Sequence, residues 1–173
     1  MKSTLKNQQL TRRQILTTAL AGCAGLTLTG LSSLSWAQGA STVLLDVYKD
    51  PTCGCCANWI EHMQQNGFTS TVYHPRDLNG LKLEHGIRAE LQSCHTAITA
   101  EGYAFEGHVP AKFIKQFLSS VPSNAKGLTA PGMPLGSPGM EMGGRFTPYD
   151  VILLNKDGST RIYASIKSAD QQF

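Results

Sequence analysis

The sequence predicts an α/β fold, and three features of the chain support this prediction. Val43 to Tyr48 is a short apolar run of strand length, typical of a strand that is buried on both faces. The stretch from Cys53 to Asn66 has apolar residues at helical spacing, which predicts an amphipathic helix. Tyr149 to Leu154 and Thr160 to Ile166 predict a hairpin near the end of the chain.

The first helix and the strand after it are marked by local signals. The apolar stripe of the helix follows the pattern i, i+3, i+4, i+7 and consists of Cys56, Trp59, Ile60 and Met63. Gly67 supplies a helix stop, and Ser70 to His74 is a second strand candidate. The polar, broken stretch from Pro75 to Gln92 predicts only a short helix from Arg88 to Leu91.

A second hairpin and a second helix complete the predicted core. Cys94 to Ala100 and Tyr103 to Glu106 flank a Glu-Gly turn, and Pro110 opens a helix that ends before Pro122. The buried stripe of this helix is predicted to be Phe113, Ile114, Phe117, Leu118 and Val121. The order strand-helix-strand, hairpin, helix is that of a thioredoxin-like core, to which the final hairpin is added.

Residues 122–148 stand apart in composition. They contain six Gly, five Pro and three of the five Met of the chain, without strand or helix periodicity. A connection of this length is usually functional or disordered. We therefore predict a long Gly/Pro/Met-rich loop between the second helix and the C-terminal hairpin.

The N-terminus is typical of an export signal. It contains the twin arginine Arg12-Arg13, then a weakly apolar stretch, then the peptidase-type sequence Ser35-Trp36-Ala37. We predict a cleaved signal over residues 1–37 and a single domain over residues 38–173. The alternative is a lipoprotein, because Leu20-Ala21-Gly22-Cys23 matches a lipobox. The apolar stretch is interrupted by Gly, Thr and Ser, so no stable membrane span is expected in the mature chain.

The charge balance argues against a polyanionic partner. The chain has 15 basic and 12 acidic residues, but four of the basic ones precede residue 14. Residues 38–173 therefore carry eleven basic against twelve acidic residues, a net charge of −1. No nucleic acid partner is expected from this balance.

Cys53, Cys55 and Cys56 open the predicted first helix, where free backbone N–H groups and the helix dipole stabilise thiolates. In a thioredoxin-like fold the hairpin strand begins beside that helix end, so Cys94 should face the other three sulfurs. Crowded thiolates repel one another, and soft sulfur ligands select copper(I) over hard cations. The cysteines therefore predict a copper(I) site, either mononuclear or a multinuclear thiolate cluster.

Several other uses of four cysteines remain open. Two disulfides are awkward because Cys55 and Cys56 are adjacent, although a labile Cys53–Cys56 disulfide suits the metal-free protein. Structural zinc sites normally have two Cys-x-x-Cys arms, whereas the fourth cysteine of this chain stands alone. The cysteine spacing also matches neither common ferredoxin pattern, which argues against an iron–sulfur cluster. A dithiol oxidoreductase is the main rival, because the pair occupies the expected position in the fold. Two features argue against an oxidoreductase. A third thiol lies inside the motif, and no proline follows Ser93 to dock a substrate.

Three further residues are candidate metal ligands. His108 precedes the second helix, while Met133 and Met140 lie in the Gly/Pro/Met-rich loop, where their thioethers would form a lid for copper. His95 adjoins Cys94, but neighbours on a strand point to opposite faces. We therefore do not expect Cys94 and His95 to share a metal atom unless the strand begins irregularly.

Four motifs carry a resemblance to a known family. They are Pro51-Thr52-Cys53-Gly54-Cys55-Cys56, Ser93-Cys94-His95-Thr96-Ala97, Glu106-Gly107-His108-Val109-Pro110 and Pro131-Gly132-Met133-Pro134-Leu135-Gly136-Ser137-Pro138-Gly139-Met140-Glu141. Through these motifs the chain resembles the CopG-type copper-resistance proteins of bacteria, from about Val43 to Ile166. The resemblance implies a thioredoxin-like fold, a periplasmic setting, and copper(I) held by Cys53, Cys55, Cys56 and Cys94.

The expected function is a periplasmic copper(I)-binding protein for copper tolerance. Its expected partners are copper ions and a periplasmic copper export or relay protein. The alternative is an oxidoreductase that changes the oxidation state of copper or exchanges disulfides through Cys53 and Cys56.

Overall fold

The computed structural model describes residues 42–173, which form one seven-stranded sheet and three α-helices. The predicted export signal and Cys23 lie outside the described residues. The elements are β1 (Val43–Lys49), α1 (Gly54–Gln65), β2 (Phe68–Tyr73), α2 (Leu78–Glu84), β3 (His95–Thr99), β4 (Ala104–Gly107), α3 (Ala111–Ser119), β5 (Ala125–Ala130), β6 (Tyr149–Asn155) and β7 (Thr160–Ile166). None of the helices in residues 42–173 is long and apolar enough to cross a membrane.

The sheet is mixed and has the strand order β2-β1-β3-β4-β5-β6-β7. Strand β1 runs parallel to β2 and antiparallel to β3, and β3 runs antiparallel to β4. Strand β5 is parallel to β4, and the last hairpin continues antiparallel beyond it. The predicted α/β class is thus confirmed, while the thioredoxin-like description of the core stays a prediction.

The main core lies between one face of the sheet and helices α1 and α3. The predicted stripe of α1 is buried as expected, because Cys56, Trp59, Ile60 and Met63 share one side of the helix. In α3 the buried residues are Ala111, Phe113, Ile114 and Phe117. Val121 was predicted in this stripe, but it lies beyond the helix and is 37% exposed.

Strand β1 was predicted to be buried on both faces, which is wrong. Leu45 and Val47 are fully buried, whereas Leu44 on the opposite face is 50% exposed. On this opposite face of the sheet, a smaller hydrophobic cluster covers β4 and β6. Ile87 and Leu91 form it with Ala104 of β4 and Leu154 of β6. That cluster does not include β1, so Leu44 remains open to solvent.

Two elements were not predicted. Helix α2 lies in the stretch assigned as polar and broken, and its N-cap is Asp77, whose carboxylate accepts a hydrogen bond from the Gly80 N–H at 2.7 Å. Strand β5 lies in residues 122–148, where no strand was expected. Its pairing with β4 joins residues more than twenty positions apart, so local periodicity carries little sign of it.

The sheet brings two distant parts of the chain together. Strand β1 ends at Lys49, and α1 begins five residues later at Gly54. Lys49 pairs with His95, the first residue of β3. Cys94 therefore lies beside the loop that leads from β1 to the N-terminus of α1.

Candidate metal centre

Three of the four candidate cysteines lie at the N-terminus of α1. Cys53 is the N-cap residue, with an extended backbone and no side-chain cap, and its N–H donates to the Asp50 carbonyl at 3.1 Å. Cys55 and Cys56 lie in the first turn, where the helix leaves backbone N–H groups unpaired. This end of the helix favours negatively charged thiolates.

The fourth cysteine joins them, as predicted. The ligand atoms of Cys53, Cys55, Cys56 and Cys94 all lie within 4.8 Å of one another. Cys55 Sγ lies 3.4 Å from Cys53 Sγ and 3.9 Å from Cys94 Sγ. Cys53 and Cys56 form a disulfide, whereas Cys55 and Cys94 are free thiols. All four sulfurs become available as ligands only after this disulfide is reduced.

Cys94 also faces two imidazole rings. Its Sγ lies 3.1 Å from His108 Nε2 and 3.4 Å from His95 Nδ1. These three ligand atoms form a second group whose members lie within 4.8 Å of one another. Cys94 thus belongs both to the sulfur cluster and to a mixed sulfur–nitrogen cluster.

His95 is the residue that the strand-alternation argument misplaced. Cys94 precedes β3 rather than lying within it, so the alternation of faces does not apply to the pair. The ring of His95 is fully buried and packs against Trp59 with centroids 4.4 Å apart. Its Nε2 has no hydrogen-bond partner among the described residues. The ring nitrogen that faces the Cys94 sulfur is Nδ1, so Nδ1 is the candidate ligand atom of this ring.

His108 is oriented by the Gly/Pro/Met-rich loop. Its Nδ1 donates to the carbonyl oxygen of Pro138 at 2.8 Å. A carbonyl only accepts, so Nδ1 carries the proton and the Nε2 lone pair is directed toward Cys94. A backbone carbonyl that fixes the tautomer in this way is typical of a histidine that binds metal.

The loop packs directly on the first helix. A Cβ atom placed on Gly139, whose φ is +84°, would lie 2.6 Å from Trp59 N and 2.7 Å from Cys55 O. Gln172 anchors the other side of the loop, because its Nε2 donates to the Gly136 carbonyl at 2.9 Å. Residues 136–139 are buried, so this part of the loop is a packed wall of the site.

The methionines of this loop differ in exposure. Met140 is half-buried and follows Gly139, whereas Met133 is 53% exposed and Met142 is 49% exposed. The ligand roles assigned to Met133 and Met140 stay predictions, as does that of His108.

Burial favours the neutral forms of Cys94, His95 and His108 in the metal-free site. Burial, and then the neighbouring Cys55, raise the pKa of Cys94 to about 12. Burial lowers the pKa of His108 and lowers that of His95 further. Both imidazoles are therefore neutral at pH 7 and offer lone pairs, while the Cys94 thiol holds its proton until a cation replaces it.

Fold and site together define a mixed α/β protein with a cysteine–histidine cluster whose donors suit a soft metal ion. Two solved structures described as Copper resistance protein copG, Form 1 and Form 2, are 38% and 37% identical to the chain, each with a TM-score of 0.69. Each comparison covers 73% of this chain and 99% of the other. The chain belongs to the CopG family.

Two other comparisons complete this assignment. The family described as "Protein of unknown function, DUF411" matches residues 91–140, which include Cys94, His95 and His108. No curated protein matches the sequence significantly.

Proposed function

We propose that this protein binds copper(I) as cargo through the thiolates of Cys53, Cys55, Cys56 and Cys94, and that it serves copper tolerance. The observation that carries the proposal is the convergence of these four sulfur atoms within 4.8 Å of one another. Copper(I) is a soft cation that prefers such ligands. The family likeness to proteins named for copper resistance supports the same cargo.

A multinuclear cluster is the form of binding that we propose. Cys55 Sγ lies 3.4 Å from Cys53 Sγ and 3.9 Å from Cys94 Sγ, which supports a bridging role for its thiolate. His108, and the predicted thioethers of Met133 and Met140, would complete the coordination at the edge of the cluster. His95 Nδ1, which lies 3.4 Å from Cys94 Sγ, adds a nitrogen donor that the strand-alternation argument did not lead us to expect.

The core is proposed to be thioredoxin-like. The support is the strand order β2-β1-β3-β4, with β1 parallel to β2 and the next two pairings antiparallel. Helix α1 follows β1 and begins at the cysteine motif, which is where a thioredoxin-like protein carries its redox pair.

The setting is proposed to be the periplasm. The twin arginine and the peptidase-type sequence ending at Ala37 support export and cleavage of residues 1–37, which would leave residues 38–173 as the metal-binding domain. A lipoprotein anchored at Cys23 is the alternative. A copper export or relay protein would receive the cargo. Cell fractionation and the intact mass of the mature protein test both routes.

The experiment that tests the copper proposal is an anaerobic copper(I) titration of the reduced full-length protein. Metal analysis and thiol counting after desalting should give two or more retained copper atoms with the four thiols protected. Single Cys→Ser replacements at Cys55 and Cys94 should lower the copper stoichiometry, whereas the matched control Cys23→Ser should not. Unchanged stoichiometry in Cys53→Ser, Cys55→Ser, Cys56→Ser and Cys94→Ser would contradict the proposal.

A redox role is the second candidate, and the Cys53–Cys56 disulfide favours it. Two copper(I) ions could each give one electron to this disulfide, which would take up two protons and become two thiols while two copper(II) ions form. Anaerobic mixing of the oxidised protein with copper(I), followed by electron paramagnetic resonance, would detect the copper(II). A dithiol oxidoreductase should lose nearly all activity in Cys53→Ser and keep it in Cys55→Ser, which separates it from a copper cluster.

A further inference from the structure

A buried ion pair lies next to the candidate metal centre. Lys82 of α2 and Glu106 of β4 contact each other directly, and their side chains are 1% and 0% exposed. Burying two charges costs free energy, and apolar replacements of such pairs are often no less stable. The pair therefore calls for an explanation other than stability.

Both members of the pair also bind the backbone of one residue. Lys82 Nζ donates to the carbonyl oxygen of Ser93 at 2.8 Å. The Ser93 N–H donates to Glu106 Oε1 at 2.6 Å. Thr96 Oγ1 donates to the other carboxylate oxygen of Glu106 at 2.5 Å, which fixes the carboxylate plane. Ser93 is thus held at both of its backbone polar groups by charged partners, which form the stronger class of hydrogen bond.

Ser93 is the residue immediately before Cys94, and it is also packed tightly. A Cβ atom on Gly107, whose φ is +71°, would lie 2.5 Å from Ser93 Cβ and 2.7 Å from the Ala130 carbonyl oxygen. Ser93 Oγ donates to the carbonyl oxygen of Gly132, which lies in the Gly/Pro/Met-rich loop just after β5. Cys94 therefore lies between a fixed residue on one side and strand β3 on the other.

We propose that Lys82 and Glu106 are positioning residues, which hold Ser93 so that the Cys94 sulfur faces Cys55 and His108. The inference rests on the proposed role of Cys94 as a ligand. In the absence of the ion pair, the backbone N–H and carbonyl of Ser93 would both lose their hydrogen-bond partners, and the Ser93 side chain would keep its bond to the Gly132 carbonyl. The Cys94 sulfur would then sample positions beyond the 3.9 Å separation from Cys55 Sγ.

A purely structural ion pair makes a different prediction. Removal of such a pair would change the free energy of unfolding. In molecules that remain folded, however, the thiols of Cys55 and Cys94 would keep their relative positions. The effective concentration of Cys55 relative to Cys94 measures that placement without any copper. It is obtained from the equilibrium between the two free thiols and their disulfide in a glutathione redox buffer.

The test uses the full-length protein with Cys23, Cys53 and Cys56 replaced by serine, so that only Cys55 and Cys94 remain. Lys82→Met/Glu106→Leu removes both charges together and leaves neither charge unpaired. Glu106→Gln is a second variant, which removes the charge opposite Lys82 but keeps the shape of the side chain and an oxygen that can accept from the Ser93 N–H. The control is Arg88→Met/Glu90→Gln, which removes an ion pair whose members are 52% and 64% exposed and which has no contact with Ser93.

We expect the effective concentration to fall about tenfold or more in the double variant. Replacing the hydrogen-bond partners of metal ligands usually lowers metal affinity by a factor of this size. Glu106→Gln should show a smaller fall, and the control should match its parent. Circular dichroism establishes that each variant is folded under the conditions of the measurement. If both Glu106 variants retain the effective concentration of the parent, the positioning role is wrong. A four-cysteine protein that binds no copper(I) would instead contradict the proposed function, and that result is independent of the disulfide equilibrium.

Discussion

His108 connects the Gly/Pro/Met-rich loop to the sulfur cluster through its two ring nitrogens. Nδ1 donates to the Pro138 carbonyl at 2.8 Å, and Nε2 lies 3.1 Å from Cys94 Sγ. The loop thereby determines which nitrogen is free to bind a metal ion. A displacement of the loop would release the histidine as well.

His108→Asn separates the two functions of this ring. An asparagine amide can still donate to the Pro138 carbonyl, but it has no atom in the position of Nε2. We expect the copper(I) affinity of the reduced protein to fall about tenfold, while the free energy of unfolding changes by about 1 kcal/mol or less. Competition with a copper(I) chelator gives the affinity, and urea unfolding gives the stability. An affinity equal to that of the parent would exclude His108 as a ligand.

Gly139→Ala tests whether the loop must pack against α1. The added methyl group would collide with Trp59 N and Cys55 O, at a residue that also has a left-handed φ of +84°. The matched control is Gly132→Ala, which has a φ of +69° and no atom within 4 Å of the new Cβ. Both variants carry a backbone strain of about 1 kcal/mol or more, but only Gly139→Ala adds the collision.

We therefore expect Gly139→Ala to lose at least about 1 kcal/mol more unfolding free energy than Gly132→Ala, and to bind copper(I) more weakly. Urea unfolding and a chelator competition measure the two quantities. Equal losses in both variants would show that the loop is not held against the helix in solution.

The two free thiols of the disulfide form should differ in reactivity. Burial raises the pKa of Cys94 to about 12, so almost none of it is thiolate at pH 8, and the thiolate is the reactive form. We expect iodoacetamide to modify Cys94 at least about tenfold more slowly than Cys55 at pH 8, with the difference narrowing as the pH rises. Peptide mass spectrometry follows each site separately. Modification of both sites at the same rate would contradict the assigned environment of Cys94.

His95 should make the stability of the metal-free protein depend on pH. Burial holds its pKa well below the ordinary value near 6.5, so the native state excludes a proton that the unfolded chain binds. This contribution is therefore complete above pH 6.5 and is lost as the pH falls below 6.5 toward the lowered native pKa. The loss is up to about 1.4 kcal/mol per pH unit for one histidine.

The measurement is urea unfolding of the reduced protein at pH 7.5 and at pH 5.5, with His95→Gln for comparison. The parent should lose more unfolding free energy between the two pH values than the variant does. If the two proteins show the same pH dependence, His95 does not remain neutral in the native state.

Local sequence signals account for the parts of the structure that were predicted. The buried stripe of α1 repeats every three to four residues within one helix. In the final hairpin, two apolar runs flank a short turn. The four-cysteine cluster was predicted because three of its members are adjacent in sequence and the element order placed Cys94 beside them. Each of these inferences needs only short-range patterns and one topological argument.

The missed parts depend on contacts between distant residues. Strand β5 has few large apolar side chains, and it is buried by pairing with β4 and β6. The position of His95 follows from where β3 begins, because Cys94 lies just outside the strand. The ion pair of Lys82 and Glu106 joins an unpredicted helix to β4, so no local sequence pattern predicted this contact.

The separation of Cys94 from the other cysteines has a consequence for assembly. Cys53, Cys55 and Cys56 lie within four residues and form a three-thiol segment even in an unfolded chain, whereas Cys94 reaches them only after β1 and β3 have paired. An ion that requires all four thiolates therefore binds the folded chain more tightly than the unfolded one and stabilises it by mass action. The ion would then bind after the chain has folded. A protein with an occupied site would therefore be one in which β1 and β3 are already paired in register.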